Sequence, residues 1–167
     1  MLEFHELAPE KLSESPFKLI GKDWMLVTAE KDGKVNAMTA SWGGLGVMWG
    51  KNVAFIVIRP QRYTKQFLDS SDTFSLTFYE ETMKKQLSYF GSVSGRDENK
   101  IEKSGFTLEH DGNTPYFSEA RIALICKKLF AQDYQPECFL SHDIEKWYPD
   151  KDYHMLYIAE ITKILVK

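Results

Sequence analysis

The chain reads as a mainly β protein, an antiparallel barrel with a few helices packed on its outside. Three observations carry that reading. Segments rich in branched and aromatic residues, such as N-V-A-F-I-V-I-R and A-R-I-A-L-I-C-K-K-L-F-A, recur along the chain at strand-like lengths. Turn pairs such as Asp32-Gly33 and Asp111-Gly112 fall between such segments, where parallel strands would need full crossover connections. The helical segments are short and fewer than the strands.

In order, residues 2–20 form a lead-in with a short helix around Pro9 to Leu12 and a break at Pro16. W-M-L-V-T-A-E and V-N-A-M-T are two strands joined through Asp32-Gly33, a strong hairpin pair. Gly43, Gly44 and Gly46 mark a flexible bend before the buried strand N-V-A-F-I-V-I-R, which Pro60 stops. Y-T-K-Q-F-L-D-S has helical spacing through Tyr63 and Phe67, and T-F-S-L-T-F-Y alternates as a strand.

Met83, Leu87 and Phe90 recur at helical intervals, with Gly91 as the stop. Asp97 caps a second short helix. F-T-L-E-H, a turn at Asp111-Gly112 and the long A-R-I-A-L-I-C strand follow. Residues 133–151 are polar, carry Pro136 and Pro149, and read as an irregular connection before a last strand, H-M-L-Y-I-A-E-I-T-K-I-L-V.

At 167 residues the chain is expected to form one domain over 1–167, and an apolar share of 43% supports a real core. A net charge of -3 without a basic stripe makes nucleic acid and anionic membranes poor partners. No apolar stretch approaches a bilayer span, and the acids in M-L-E-F-H-E-L-A-P-E argue against a signal segment. Two separated cysteines, Cys126 and Cys138, offer no disulfide framework, so the expected location is the cytoplasm.

Three segments could carry chemistry. N-A-M-T-A-S-W places Asn36, Met38, Ala40 and Trp42 on one face of a strand, with Ala37, Thr39 and Ser41 on the other. Such a strand offers hydroxyls and a flat aromatic to a ligand, or equally a polar side to water with Trp42 as core. R-P-Q-R-Y-T sets Arg59, Arg62 and Thr64 at a strand end and a helix start, where guanidinium groups and free N–H groups suit a phosphate. S-G-R-D-E-N-K adds Ser94, Arg96 and Lys100, with Gly95 permitting close backbone approach; it also reads as a capped surface helix.

Other chemistries find less support. His5, His110, His142 and His154 lack ligand-like spacing with one another or with the cysteines, so no metal site is expected. The glycines at 43, 44 and 46 fit neither a phosphate loop nor a dinucleotide fingerprint. Gly91-Ser92-Val93-Ser94-Gly95 does not match a nucleophile elbow.

Taken together and in this order, N-A-M-T-A-S-W, R-P-Q-R-Y-T, S-G-R-D-E-N-K and the closing H-M-L-Y-I-A-E-I resemble the flavin reductase-like family of FMN-binding split barrels, flavoredoxins included. The resemblance runs from about Trp24 to Ile161. It implies an antiparallel Greek-key split barrel, a homodimer, and FMN near the subunit interface. Asn36, Met38, Thr39, Ser41 and Trp42 would then line the isoalloxazine ring. Arg59, Arg62 and Thr64, with Ser94 and Lys100, would hold the phosphate side.

His154 falls where the family places a histidine near nicotinamide or flavin, making it the candidate catalytic residue. Asp152-Tyr153 stands where Gly-Asp is usual, Ala159 replaces a later glycine, and residues 133–150 look like an insertion that caps the pocket. The implied activity is hydride transfer from NAD(P)H to bound flavin. The alternative is a non-catalytic FMN carrier fed by a protein redox partner.

Overall fold

The computed structural model describes residues 3–167; Met1 and Leu2, the first residues of the chain, lie outside it. A three-residue strand, β1 (His5–Leu7), and a 3-10 turn (Pro9–Lys11) open the chain, followed by a seven-residue π-helical turn (Phe17–Asp23) that the sequence pattern does not announce. β2 (Met25–Lys31) and β3 (Lys34–Ala40) form the expected hairpin. Its turn residues Asp32 and Gly33 both have positive φ, 51° and 72°, as the tight turn of a right-twisted hairpin requires.

The expected bend at Gly43–Gly46 is instead a strand, β4 (Gly43–Met48), paired antiparallel with β5 (Lys51–Ile58). Close approach explains the glycines. A Cβ on Gly43 would lie 2.3 Å from the Phe55 carbonyl oxygen, and one on Gly46 would meet the Phe55 ring at 3.4 Å.

Helix α1 (Thr64–Ser70), β6 (Thr73–Phe78) and α2 (Lys84–Ser92) follow as expected, except that α2 continues through Gly91. Helix α3 (Lys100–Ser104) is capped by Asn99, whose side chain accepts from the Glu102 N–H at 3.3 Å; Asp97 is not the cap. A small hairpin, β7 (Leu108–Asp111) with β8 (Thr114–Phe117), precedes the long strands β9 (Ile122–Asp133) and β10 (Met155–Val166).

The main sheet runs β3-β2-β6-β9-β10-β5-β4, with β1 added beside β10. Among the described residues, every strand pair in it is antiparallel. Its two ends, β3 and β4, are separated in the chain by Ser41 and Trp42 alone, so the sheet must curl until they lie side by side. The result is a barrel closed along one seam by covalent chain instead of ladder hydrogen bonds.

Met25, Val27, Met38, Ile56, Phe74, Leu76, Leu124 and Tyr157 fill the interior. A second apolar cluster, around Leu26, Ala37, Leu87, Phe90, Phe106 and Phe117, glues α2 and the small hairpin to the outside. Hence β3 is buried on both faces at Asn36, Ala37 and Met38, and the Thr39 hydroxyl donates to the Leu87 carbonyl of α2. On the side of Ala37, Thr39 and Ser41, Ala37 is buried and Thr39 and Ser41 are half-buried. No described helix is long and apolar enough to cross a membrane.

Candidate functional site

Two cavities meet at Met38 and Arg62. The first, about 110 Å³, lies where β3, the turn before α1, the end of α2 and the start of α3 converge; Asn36, Arg62, Thr64, Ser94, Gly95 and Lys100 are among its walls. Lys100 is 3% exposed, and its ammonium donates to the Phe90 carbonyl at 3.0 Å. Arg62 Nη1 donates to the Gly91 carbonyl at 3.1 Å. Both partners are neutral. Among the described residues, neither cation has a carboxylate within ion-pair distance.

Burial, with the Arg62 charge second, pulls the Lys100 ammonium down to about 8. Burial also lowers Arg62. Two cations held this way, without a balancing acid, suit an anion that brings its own negative charge. The neutral groups complete the cradle. Asn36 Nδ2 donates to Thr64 Oγ1 at 2.8 Å, which leaves the threonine hydroxyl hydrogen free to donate elsewhere. A Cβ on Gly95 would come within 2.2 Å of Asn36 Oδ1, so this wall accepts only glycine without movement.

Some of the amides around the helix start are already taken. The N–H groups of Arg62, Lys65 and Gln66 bond the carbonyls of Arg59, Arg62 and Tyr63 at 3.1, 3.0 and 3.1 Å. Among the described residues the Tyr63 and Thr64 N–H groups have no partner, so they stand beside the side-chain cations and the hydroxyl in a site that fits a phosphate in charge and donors.

The second cavity, about 180 Å³, runs along the end of β3 and is walled by Met38, Thr39, Ser41, Trp42, Arg59 and His154, among others. Its character is aromatic. Trp42 lies 5.3 Å from the His154 ring and meets Trp147 edge-on at 5.2 Å, centroid to centroid. His154 is buried, and burial lowers it to about 4, so it is neutral at ordinary pH. Tyr148 hydroxyl and His154 Nδ1 lie 2.7 Å apart. This bond fixes the orientation of the His154 ring against Tyr148.

The candidates named from sequence thus divide. Arg62, Thr64, Ser94 and Lys100 gather at the anion cavity, and Asn36 joins them there instead of the ring side. Met38 touches both cavities, while Thr39, Ser41, Trp42 and His154 gather at the aromatic one. Arg59 is also at the aromatic cavity and is already paired, its Nη1 2.7 Å from Asp152 Oδ2 and its Nη2 2.8 Å from the Trp147 carbonyl. Gln61 and Asp152 were not foreseen as site residues, though Asp152 stood out at a glycine position; Tyr148 belongs to the 133–150 segment expected to cap the pocket. Among the described residues, no group of histidines, cysteines and acids is arranged to hold a metal.

The fold is a split antiparallel barrel in which a cationic cavity opens beside one walled by Trp42 and His154. The chain belongs to the flavin reductase-like family: the model of the flavin reductase like domain matches residues 18–167. The FMN-binding domain of a flavin reductases-like enzyme from Shewanella baltica superposes with a TM-score of 0.72 at 21% identity, over 99% of this chain and 79% of that one. Flavoredoxin from Methanosarcina acetivorans gives 0.68 at 22% identity, over 87% and 68%. Flavoredoxin of Desulfovibrio vulgaris gives 0.69 at 18% identity, over 96% and 77%. At these identities the likeness establishes the fold. No curated protein matches the chain significantly.

Proposed function

We propose that the chain binds FMN, its phosphate between Arg62 and Lys100 and its isoalloxazine ring along Met38–Trp42, and that it is a flavin reductase-like oxidoreductase taking hydride from NAD(P)H. The observation that carries this reading is the pair of cations with carbonyl partners only, joined through Met38 and Arg62 to an aromatic-walled cavity. Bound flavin supplies the redox chemistry, accepting and releasing electrons. The protein's residues bind and orient. Arg62, Lys100 and Thr64 anchor the phosphate, Thr39 and Ser41 line the ring side, and the neutral His154 ring forms part of that wall.

A second reading, a flavin carrier reduced by a protein partner, is favoured by one feature. The side chains of Trp147 and Tyr148 already pack on Trp42 and His154, where a nicotinamide would need room. The two separate cleanly. FMN titration followed by flavin fluorescence tests binding; anaerobic stopped-flow mixing with NADH or NADPH tests chemistry. Fast bleaching of the flavin band supports the reductase, and bleaching only by a protein donor supports the carrier. Failure to take up FMN overturns both.

A second copy of the chain is the partner we propose. An exposed apolar strip supports it: Val47, Met48 and Trp49 at the β4 end and Leu129 and Phe130 on β9, with Trp49 and Phe130 rings 6.2 Å apart. Trp49→Glu should convert a dimer to monomer in sedimentation; an unchanged dimer would place the interface elsewhere.

A further inference from the structure

Residues 134–153 make an excursion between β9 and β10 that contributes no strand to the sheet among the described residues. Its ends are drawn together where the Tyr134 N–H donates to the His154 carbonyl at 2.8 Å. It contains two 3-10 turns, Pro136–Cys138 and His142–Trp147, and most of its residues are exposed. An aromatic stack gives it internal order, with Phe139 on Tyr148 at 5.8 Å and Tyr148 on Tyr153 at 5.1 Å. It is a flap, and the question is what seats it.

We infer that Arg59 is a positioning residue that latches this flap against the wall of the aromatic cavity, and that it does not serve the phosphate. Its guanidinium reaches the flap at three places: the Asp152 carboxylate, the Trp147 carbonyl and the face of Tyr148, 5.0 Å from the ring centroid. Gln61 Nε2 donates to the same Asp152 oxygen at 2.6 Å, so the carboxylate is fixed from two sides of the turn after β5. With the latch made, Trp147 meets Trp42 edge-on and Tyr148 holds the His154 ring. Arg59 thereby acts on the cavity through other residues.

This deepens the flavin reading and rests on it for what the cavity holds: the latch sets how a second reactant approaches the ring. The latch itself is testable without flavin. Lys146 and Lys151 offer tryptic sites inside the flap. In the full-length flavin-free protein, Arg59→Ala and Asp152→Asn should each speed cleavage there by about tenfold, because cleavage follows the open population. Arg59→Lys, which keeps the charge and loses the planar fork, should fall between them and the parent. Thermal midpoints should stay near the parent value, which a general loss of structure would not allow. Should Arg59→Ala fail to fold, Asp152→Asn carries the cleavage measurement.

Unchanged cleavage in the folded variants would overturn the latch. FMN titration supplies the second arm: Arg59→Ala should keep FMN affinity within about threefold of the parent, whereas a loss of about tenfold or more, as in Arg62→Ala, would make Arg59 a phosphate ligand and overturn the assignment. If the parent takes up no FMN, the flavin reading falls and the cleavage arm still decides the latch.

Discussion

Arg59 and Arg62 stand three positions apart in R-P-Q-R, yet the structure gives them opposite surroundings. Arg62 faces a carbonyl and another cation, with no acid among the described residues to balance it. Arg59 faces Asp152 and is already neutralised. The difference teaches that an arginine's role depends on what its partner leaves undone. A compensated guanidinium holds protein to protein; an uncompensated one awaits a ligand.

The strongest test of that contrast is Arg62→Ala. Removing a charge-assisted phosphate contact should weaken FMN binding by about 1.5–3 kcal/mol, roughly ten- to 150-fold, far beyond Arg59→Ala. Equal losses would erase the distinction. Gly95→Ala comes next. The added carbon falls on Asn36 Oδ1, so the Asn36–Thr64 bond must shift, at about 1–3 kcal/mol in denaturant-measured stability, with weaker FMN binding. An unperturbed variant would mean that Asn36 moves freely and does not position Thr64.

Lys100 sharpens the comparison through pH. Its folded value, about 8, lies below the ordinary 10.5, so the flavin-free protein should gain stability as pH rises through that interval, where the unfolded chain binds more protons. FMN affinity should fall over the same rise, by up to about tenfold per pH unit, as the ammonium discharges. In Lys100→Met both trends should flatten; persistence of either would assign it to another group. The smallest effect belongs to His154. Lowered to about 4 from 6.5, it should make the protein lose stability as pH drops through that window, and His154→Gln should remove this part of the acid sensitivity in urea titrations. An unaltered profile would mean the ring is not held neutral by its burial.

Much of the barrel was legible because branched residues and turn pairs speak for themselves; Asp32-Gly33 is the clearest case, with both residues at positive φ. β4 was missed because its glycines look like flexibility. They answer instead to the nearness of Phe55, a tertiary fact that local propensity cannot express. The anion cavity was largely legible, since cations, hydroxyl and glycine each have a local signature. The place of Asn36 at the anion cavity was not legible, because strand alternation gives a face but not a position along it. The pairing of Arg59 was hidden for a different reason. Its partner Asp152 lies ninety-odd residues away, and only folding brings the two together.

The short link of Ser41 and Trp42 between the sheet's edge strands ties architecture to ligand. Those same two residues draw the edges together and wall the aromatic cavity. Lengthening the link by even one residue would slacken the seam and displace the indole together, so barrel shape and ligand pocket can drift apart here only by losing both. Variation in what this protein accepts is therefore expected to enter through the flap, which can change length and composition without tugging on the staves of the barrel.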